Sequence, residues 1–235
     1  MINKKVLAFL SLCMFIVSSA SASVIMTGTR VVFPSNATEK VVQFKNPDPQ
    51  PFVVQLKITK ENNEVDDNSP FTLVPPVFRM EPNSGHSVRL IANGTAALPQ
   101  DKESVFYLNF TQLPALKASQ QHDNQLVIAV TSRVKIFYRP VALSGSSSEA
   151  SESLKFSLQQ GNLTVTNPTG FYITVREADL TMGKNVTTVA TSVMIPPKST
   201  VQWHTEKNIP TLNGASLKLI LVNDYGADFT REIHL

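Results

Sequence analysis

Residues 125–140 read QLVIAVTSRVKIFYRP, the longest continuous run of strand-forming residues beyond the N-terminal leader. Side chains of an extended chain alternate between faces, so Leu126, Ile128 and Val130 share one side and Val127, Ala129 and Thr131 the other. Both sides are apolar at the start of the run. A sandwich strand normally turns apolar side chains to the core and polar ones to water, so this segment needs cover twice. Either it lies wholly inside its own protein, or it adds as a strand to another polypeptide. From Ser132 the pattern changes. Arg133, Lys135 and Arg139 recur at every second or fourth position and share a side, either as ordinary protection of a sheet edge or as a basic binding face.

The rest of the chain frames this run. Its 235 residues leave room for two domains of about a hundred residues each. Residues 1–22 read as a secretory leader, with basic Lys4 and Lys5, an apolar stretch at 6–17 and small residues at 20–22 for cleavage. That apolar stretch is shorter than the roughly twenty residues a spanning helix needs, and no later segment would span a bilayer. Membrane insertion is therefore not expected. Cys13, the one cysteine, falls inside the leader, so the mature chain folds without disulfides even in an oxidising compartment. Of 21 basic residues only Lys4 and Lys5 leave with the leader, so 19 remain against 18 acids. A charge so close to balance gives no footprint for nucleic acid. Asn-x-Thr sequons begin at Asn36, Asn93, Asn109, Asn162 and Asn185. The one at Asn109 sits inside a strand-like stretch where a glycan would obstruct packing, which argues against a glycosylating route.

Taken in order, residues 24–33 read as a first strand closed by Pro34-Ser35-Asn36, followed by strands at 40–45 and 52–59. Residues 61–69 form a polar acidic loop, in which Asp66-Asp67 reads as a solvated turn. Prolines then punctuate short strands through 70–82 and 98–109, the grammar of a β-sandwich. Residues 144–153, GSSSEASES with Ser144 before it, suit a flexible connection. The expected domains are 23–143 and 154–235. The second repeats the first: Leu163 to Pro168 echoes Val41 to Pro47, an alternating strand stopped by Asn-Pro, and Ile195 to Trp203 echoes Met80 to Leu90. Tandem sandwiches of the immunoglobulin type account for both echoes. Residues 217–222 are a further strand and 223–226 a turn.

Catalytic signatures are missing. There is no Gly-x-Ser-x-Gly, Gly-x-Gly-x-x-Gly, phosphate loop or His-Glu-x-x-His. His86, His122, His204 and His234 are dispersed without metal-ligand spacing, and Trp203 reads as core. No enzyme activity, metal or cofactor is expected.

Four stretches carry a resemblance: GTRVVFP at 28–34, PFTLVPPVFRMEP at 70–82, LPQDKESVFYLN at 98–109 and SRVKIFYRP at 132–140. Together they are similar to the periplasmic pilus (fimbrial) chaperones of the chaperone-usher pathway. The resemblance covers nearly all of the mature chain. It implies an all-β fold, with two immunoglobulin-like β-sandwich domains in tandem, boomerang-like, around a cleft. It implies pilin subunits and an outer-membrane usher as partners, and a periplasmic location. By the same resemblance Arg30 and Lys135 anchor the subunit's C-terminal carboxylate, Leu126, Ile128 and Val130 belong to a donor strand, and Glu103, Arg139 and Asp224 form an interdomain ionic cluster. The short polar stretch at 115–125 resembles the short-loop subgroup, whose clients usually build rod-like pili, and the missing cysteine pair in the second half agrees. Self-association of the free protein to cover the donor edge stays open. A secreted structural or adhesive sandwich protein is the alternative, and a hydrolase with a fold-assembled site a third.

Overall fold

A computed structural model describes residues 24–115, 126–159, 161–204, 209 and 211–235. The expected leader at 1–22, and residues 116–125 with His122, lie outside the described residues.

The first domain packs two sheets face to face. One has the order β1 (Ile25–Met26), β3 (Glu39–Asn46), β7 (Ser84–Ala92), β5 (Phe71–Val74). The other runs β2 (Arg30–Pro34), β9 (Val130–Arg139), β8 (Ser104–Pro114), β4 (Phe52–Thr59), β6 (Val77–Met80). Alternate residues of both sheets meet in one core that includes Phe33, Phe44, Val54, Leu90, Leu108, Ile136 and Tyr138. Edge-to-face rings knit it, with Phe33 on Phe71 at 5.0 Å and Phe44 on Phe110 at 5.3 Å.

Two expected strands change. Residues 24–33 are not one strand: β1 pairs antiparallel with β3, and β2 pairs parallel with β9 in the opposite sheet. The switch falls at Gly28, whose φ of 87° is open to glycine at little cost. It makes Arg30 the first residue of β2. The run 125–140 also starts later than its composition predicts, since β9 begins at Val130. Leu126 to Ala129 precede it outside any ladder, and Gln125 is not described.

The second domain repeats the plan with β10 (Lys155–Gln159), β11 (Asn162–Asn167) and β14 (Ser199–Trp203) in one sheet. The other sheet is β13 (Asn185–Ile195), β12 (Ile173–Met182), β15 (Ser216–Val222), β16 (Asp228–His234), in that order. Its core includes Leu163, Val175, Leu180, Ile195, Trp203 and Leu219. The Asn-Pro echo has a structural cause. Asn46 donates to the carbonyls of Gln50 and Glu81 at 2.8 and 3.0 Å and accepts from the Asp48 amide at 3.1 Å. Asn167 likewise donates to Phe171 and Pro196 at 2.8 and 3.0 Å and accepts from the Thr169 amide at 3.0 Å. Both asparagines are fully buried, and each ties a strand end to the turn that opens the next hairpin.

The stretch 144–153 is more ordered at its end than its composition predicts. Ala150–Ser153 form a 3-10 turn with Ala150 and Ser151 buried, and Ala150 belongs to the second core. Small residues that look like linker are also those that fit close against a sheet. Gly170 shows a similar closeness, because a Cβ there would stand 2.8 Å from Leu143 and 3.1 Å from the Asp101 carbonyl.

Candidate functional site

The face of β9 that looks away from the core carries Arg133, Lys135, Phe137 and Arg139, because Val134, Ile136 and Tyr138 face inward. Each residue of this row meets a different neighbour.

Arg139 is committed to other charges. Its Nε donates to Glu103 Oε1 at 2.6 Å, and its two terminal nitrogens donate to the Asp224 carboxylate at 2.6 and 2.8 Å. Glu103, only 2% exposed, also accepts the Tyr172 amide at 2.7 Å, and Ser147 donates to Asp224 at 2.8 Å. The structure thus brings Glu103, Arg139 and Asp224 together between the domains. Burial pushes the Glu103 carboxyl above its usual value, against the pull of Arg139 and the Tyr172 amide. Burial also acts to raise Asp224, but the Arg139 hydrogen bonds and charge carry it below the ordinary aspartate value.

Phe137 is buried against Tyr172 of the second domain at 5.7 Å. Arg133 is also engaged: its guanidinium lies 3.7 Å from the Tyr107 ring centroid and donates to the carbonyls of Lys60 and Glu61 at 2.6 and 2.8 Å. It therefore pins the start of the acidic loop onto the sheet.

Lys135 differs from the other cations of the row. It is half-buried and makes no ion pair or hydrogen bond among the described residues. Its partner in the parallel ladder is Arg30, which puts the two cations side by side on one face. Arg30 donates to the Val222 carbonyl at 3.2 Å, while its Nε is buried without a partner. Burial, then the charges of Arg30 and Arg133, hold the Lys135 ammonium below its ordinary value, with Glu61 acting the other way. Burial lowers Arg30 too, opposed by Asp224. Two adjacent half-buried cations without a carboxylate in contact form a place prepared for an anion.

The edge beside them is also unfinished. β2 covers β9 only from Lys135 to Arg139, while β8 pairs with it from Val130 to Tyr138. From Val130 to Val134, β9 therefore has a free edge among the described residues, and Arg30 marks its end. Leu126, Ile128 and Val130 share the sequence parity of Val134 and Ile136, so an extended β9 would carry them on the core-facing side past the domain's own core. They are 88%, 64% and 45% exposed. Sequence reading missed Tyr107, Tyr172, Ser147 and the Val222 carbonyl at this place. Tyr107 lies within a quoted motif, but nothing local marks it as the cross-strand neighbour of Lys135.

Among the described residues no helix is long and apolar enough to cross a membrane. Residues 23–144 match the family described as pili and flagellar-assembly chaperone, PapD N-terminal domain, and residues 149–233 match pili assembly chaperone PapD, C-terminal domain. Chaperone protein HifB of Haemophilus influenzae is 36% identical over 228 residues, 94% of this chain and 90% of the relative. Chaperone protein FimC of Escherichia coli strain K12 is 31% identical over 219 residues, 92% and 86% of the two chains. Among solved structures, the YadV chaperone superposes with a TM-score of 0.78 at 30% identity, over 91% of this chain and 100% of that one. The Pseudomonas aeruginosa CupB2 chaperone gives 0.72 at 30% identity, over 90% and 100%. With both domains matched in order and the same two-sandwich fold, the chain belongs to the PapD-type pili assembly chaperone family.

Proposed function

We propose that the mature protein is a non-catalytic periplasmic chaperone that holds incomplete pilin subunits by lending them a strand and delivers them to an outer-membrane usher. The leader at 1–22 exports it, and two domains, 23–143 and 154–235, form the cleft. The observation that carries this reading is the coincidence of a free β9 edge, protruding apolar side chains and two cations with no carboxylate in contact where that edge stops.

Geometry gives the guest strand a direction. A strand added to the free edge occupies the same row as β2 and ends where Arg30 begins. If its C-terminal carboxylate is the group held by Arg30 and Lys135, it runs the same way as β9, as β2 does. Leu126, Ile128 and Val130 enter the groove that the subunit leaves open, offering about 5–9 kcal/mol before association costs. Each backbone bond adds only ~1 kcal/mol, and a one-residue slip would exchange the inserted set for Val127 and Ala129. Charge-assisted bonds to the chain end therefore fix the register.

The test is co-expression with a cognate subunit and recovery of the periplasmic complex. Lys135→Ala or Arg30→Ala should abolish recovery while the chaperone itself stays folded; wild-type amounts of complex from either variant would falsify the anchor.

A further inference from the structure

We infer that Tyr107 is a third member of the carboxylate site, a neutral hydroxyl donor standing beside the two cations. The inference rests on the carboxylate reading above and deepens it. In the sheet, Tyr107 of β8 pairs with Lys135 of β9, which pairs with Arg30 of β2, so the three residues form one row across three strands. Residues paired in a ladder project from the same face, and opposite Cβ atoms lie about 4.5–5.5 Å apart.

The ring has little freedom. Tyr107 is 7% exposed and is held from above by the Arg133 guanidinium at 3.7 Å, which is itself fastened to the carbonyls of Lys60 and Glu61. Its hydroxyl, however, has no hydrogen-bond partner among the described residues. That hydroxyl is not among the buried polar atoms that lack a partner, so a covered ring carries a donor that reaches solvent and is open to a ligand oxygen. Burial and Glu61 keep the phenol above its usual titration range, so the donor stays protonated wherever the protein works.

Chemistry favours a neutral third donor. After burial, the charges of Arg30 and Arg133 already hold Lys135 low, and a further cation would add to that repulsion, whereas a phenol adds a hydrogen bond without charge. Arg133 commits its Nη2 to the loop carbonyls and lays its guanidinium over the Tyr107 ring. Its role is to position Tyr107.

The experiment compares two forms of one short synthetic peptide of alternating apolar and polar residues, one ending in a free carboxylate and one in an amide. Binding of each is measured to the wild-type protein and to Tyr107→Phe, with thermal melts of both. Tyr107→Phe should lose about five- to tenfold in affinity for the free acid, bind the amide as the wild type does, and melt unchanged. Undiminished preference for the acid in Tyr107→Phe overturns the role of Tyr107 alone, as does an equal loss for both peptides. Failure of the wild type to bind the acid, or to prefer it to the amide, overturns the anchor and this proposal with it.

Discussion

Lys135 and Arg139 lie on one face of β9, yet their surroundings give them opposite work. Arg139 is bonded to both Glu103 and Asp224, while Lys135 has only other cations close by and a distant acid in Glu61. The spacing of the cations is legible in the sequence, but which of them is satisfied is not, because the satisfying groups come from residues 103, 172 and 224. Arg30 is a similar case: it lies about a hundred residues away in sequence, and only the parallel ladder sets it against Lys135. A pH consequence belongs at this scale. A lysine held below its ordinary value binds its proton less tightly in the folded than in the unfolded chain, so stability rises with pH between that depressed value and 10.5. Denaturant unfolding across this alkaline range should show the wild type gaining stability relative to Lys135→Met, which has no such proton to release. Parallel curves for the two proteins would contradict the depressed ammonium. At neutral pH, Lys135→Met should melt no lower than the wild type even though it no longer captures clients, because removing a desolvated cation relieves the fold.

Element by element, the fold is easiest to read where a strand needs only its own domain. The strands at 40–45 and 52–59 fall within β3 and β4, and the Asn-Pro echo marks equivalent buried asparagines in both halves. The run at 126–129 reads as strand and is not one in the isolated chain. Strand preference expresses fit to cross-strand neighbours, and these residues lie past the last ladder pair, Gln112 with Val130. Under the proposed function, what the sequence describes there is a strand of the complex. Ile128→Asp tests this: the side chain is largely exposed, so the melting temperature should hold, while recovery of a subunit complex should fall below detection. Retained capture would mean that the apolar insertion does not carry the affinity. The split of residues 24–34 into β1 and β2 was hidden for a different reason. A single glycine in the left-handed region sends the chain to the other sheet, and Gly28 is one small residue among many.

Across the whole molecule, the angle between the sandwiches depends on a few close approaches. Glu103 and Asp224 meet on Arg139, the Glu103 amide donates to the Gly170 carbonyl at 2.8 Å, and Lys198 pairs with Asp101. Gly226 stands against Thr29, where a Cβ would collide with the threonine hydroxyl. Arg139→Ala would leave Glu103 buried without its cation, and removing one partner of such a pair destabilises by about 3–5 kcal/mol. A lower melting temperature together with a broader distribution of domain angles in small-angle scattering is the expected result; an unchanged melt would show that the cluster contributes neither. The alignment of β2 with the free edge has a last consequence. Because β2 already fills the next places in that row, the groove is a closed berth, and a client's final residue has no way onward. Lengthening a client by a C-terminal affinity tag should therefore block its capture, whereas the same tag on an N-terminal extension should not, as a parallel pull-down with both forms would reveal.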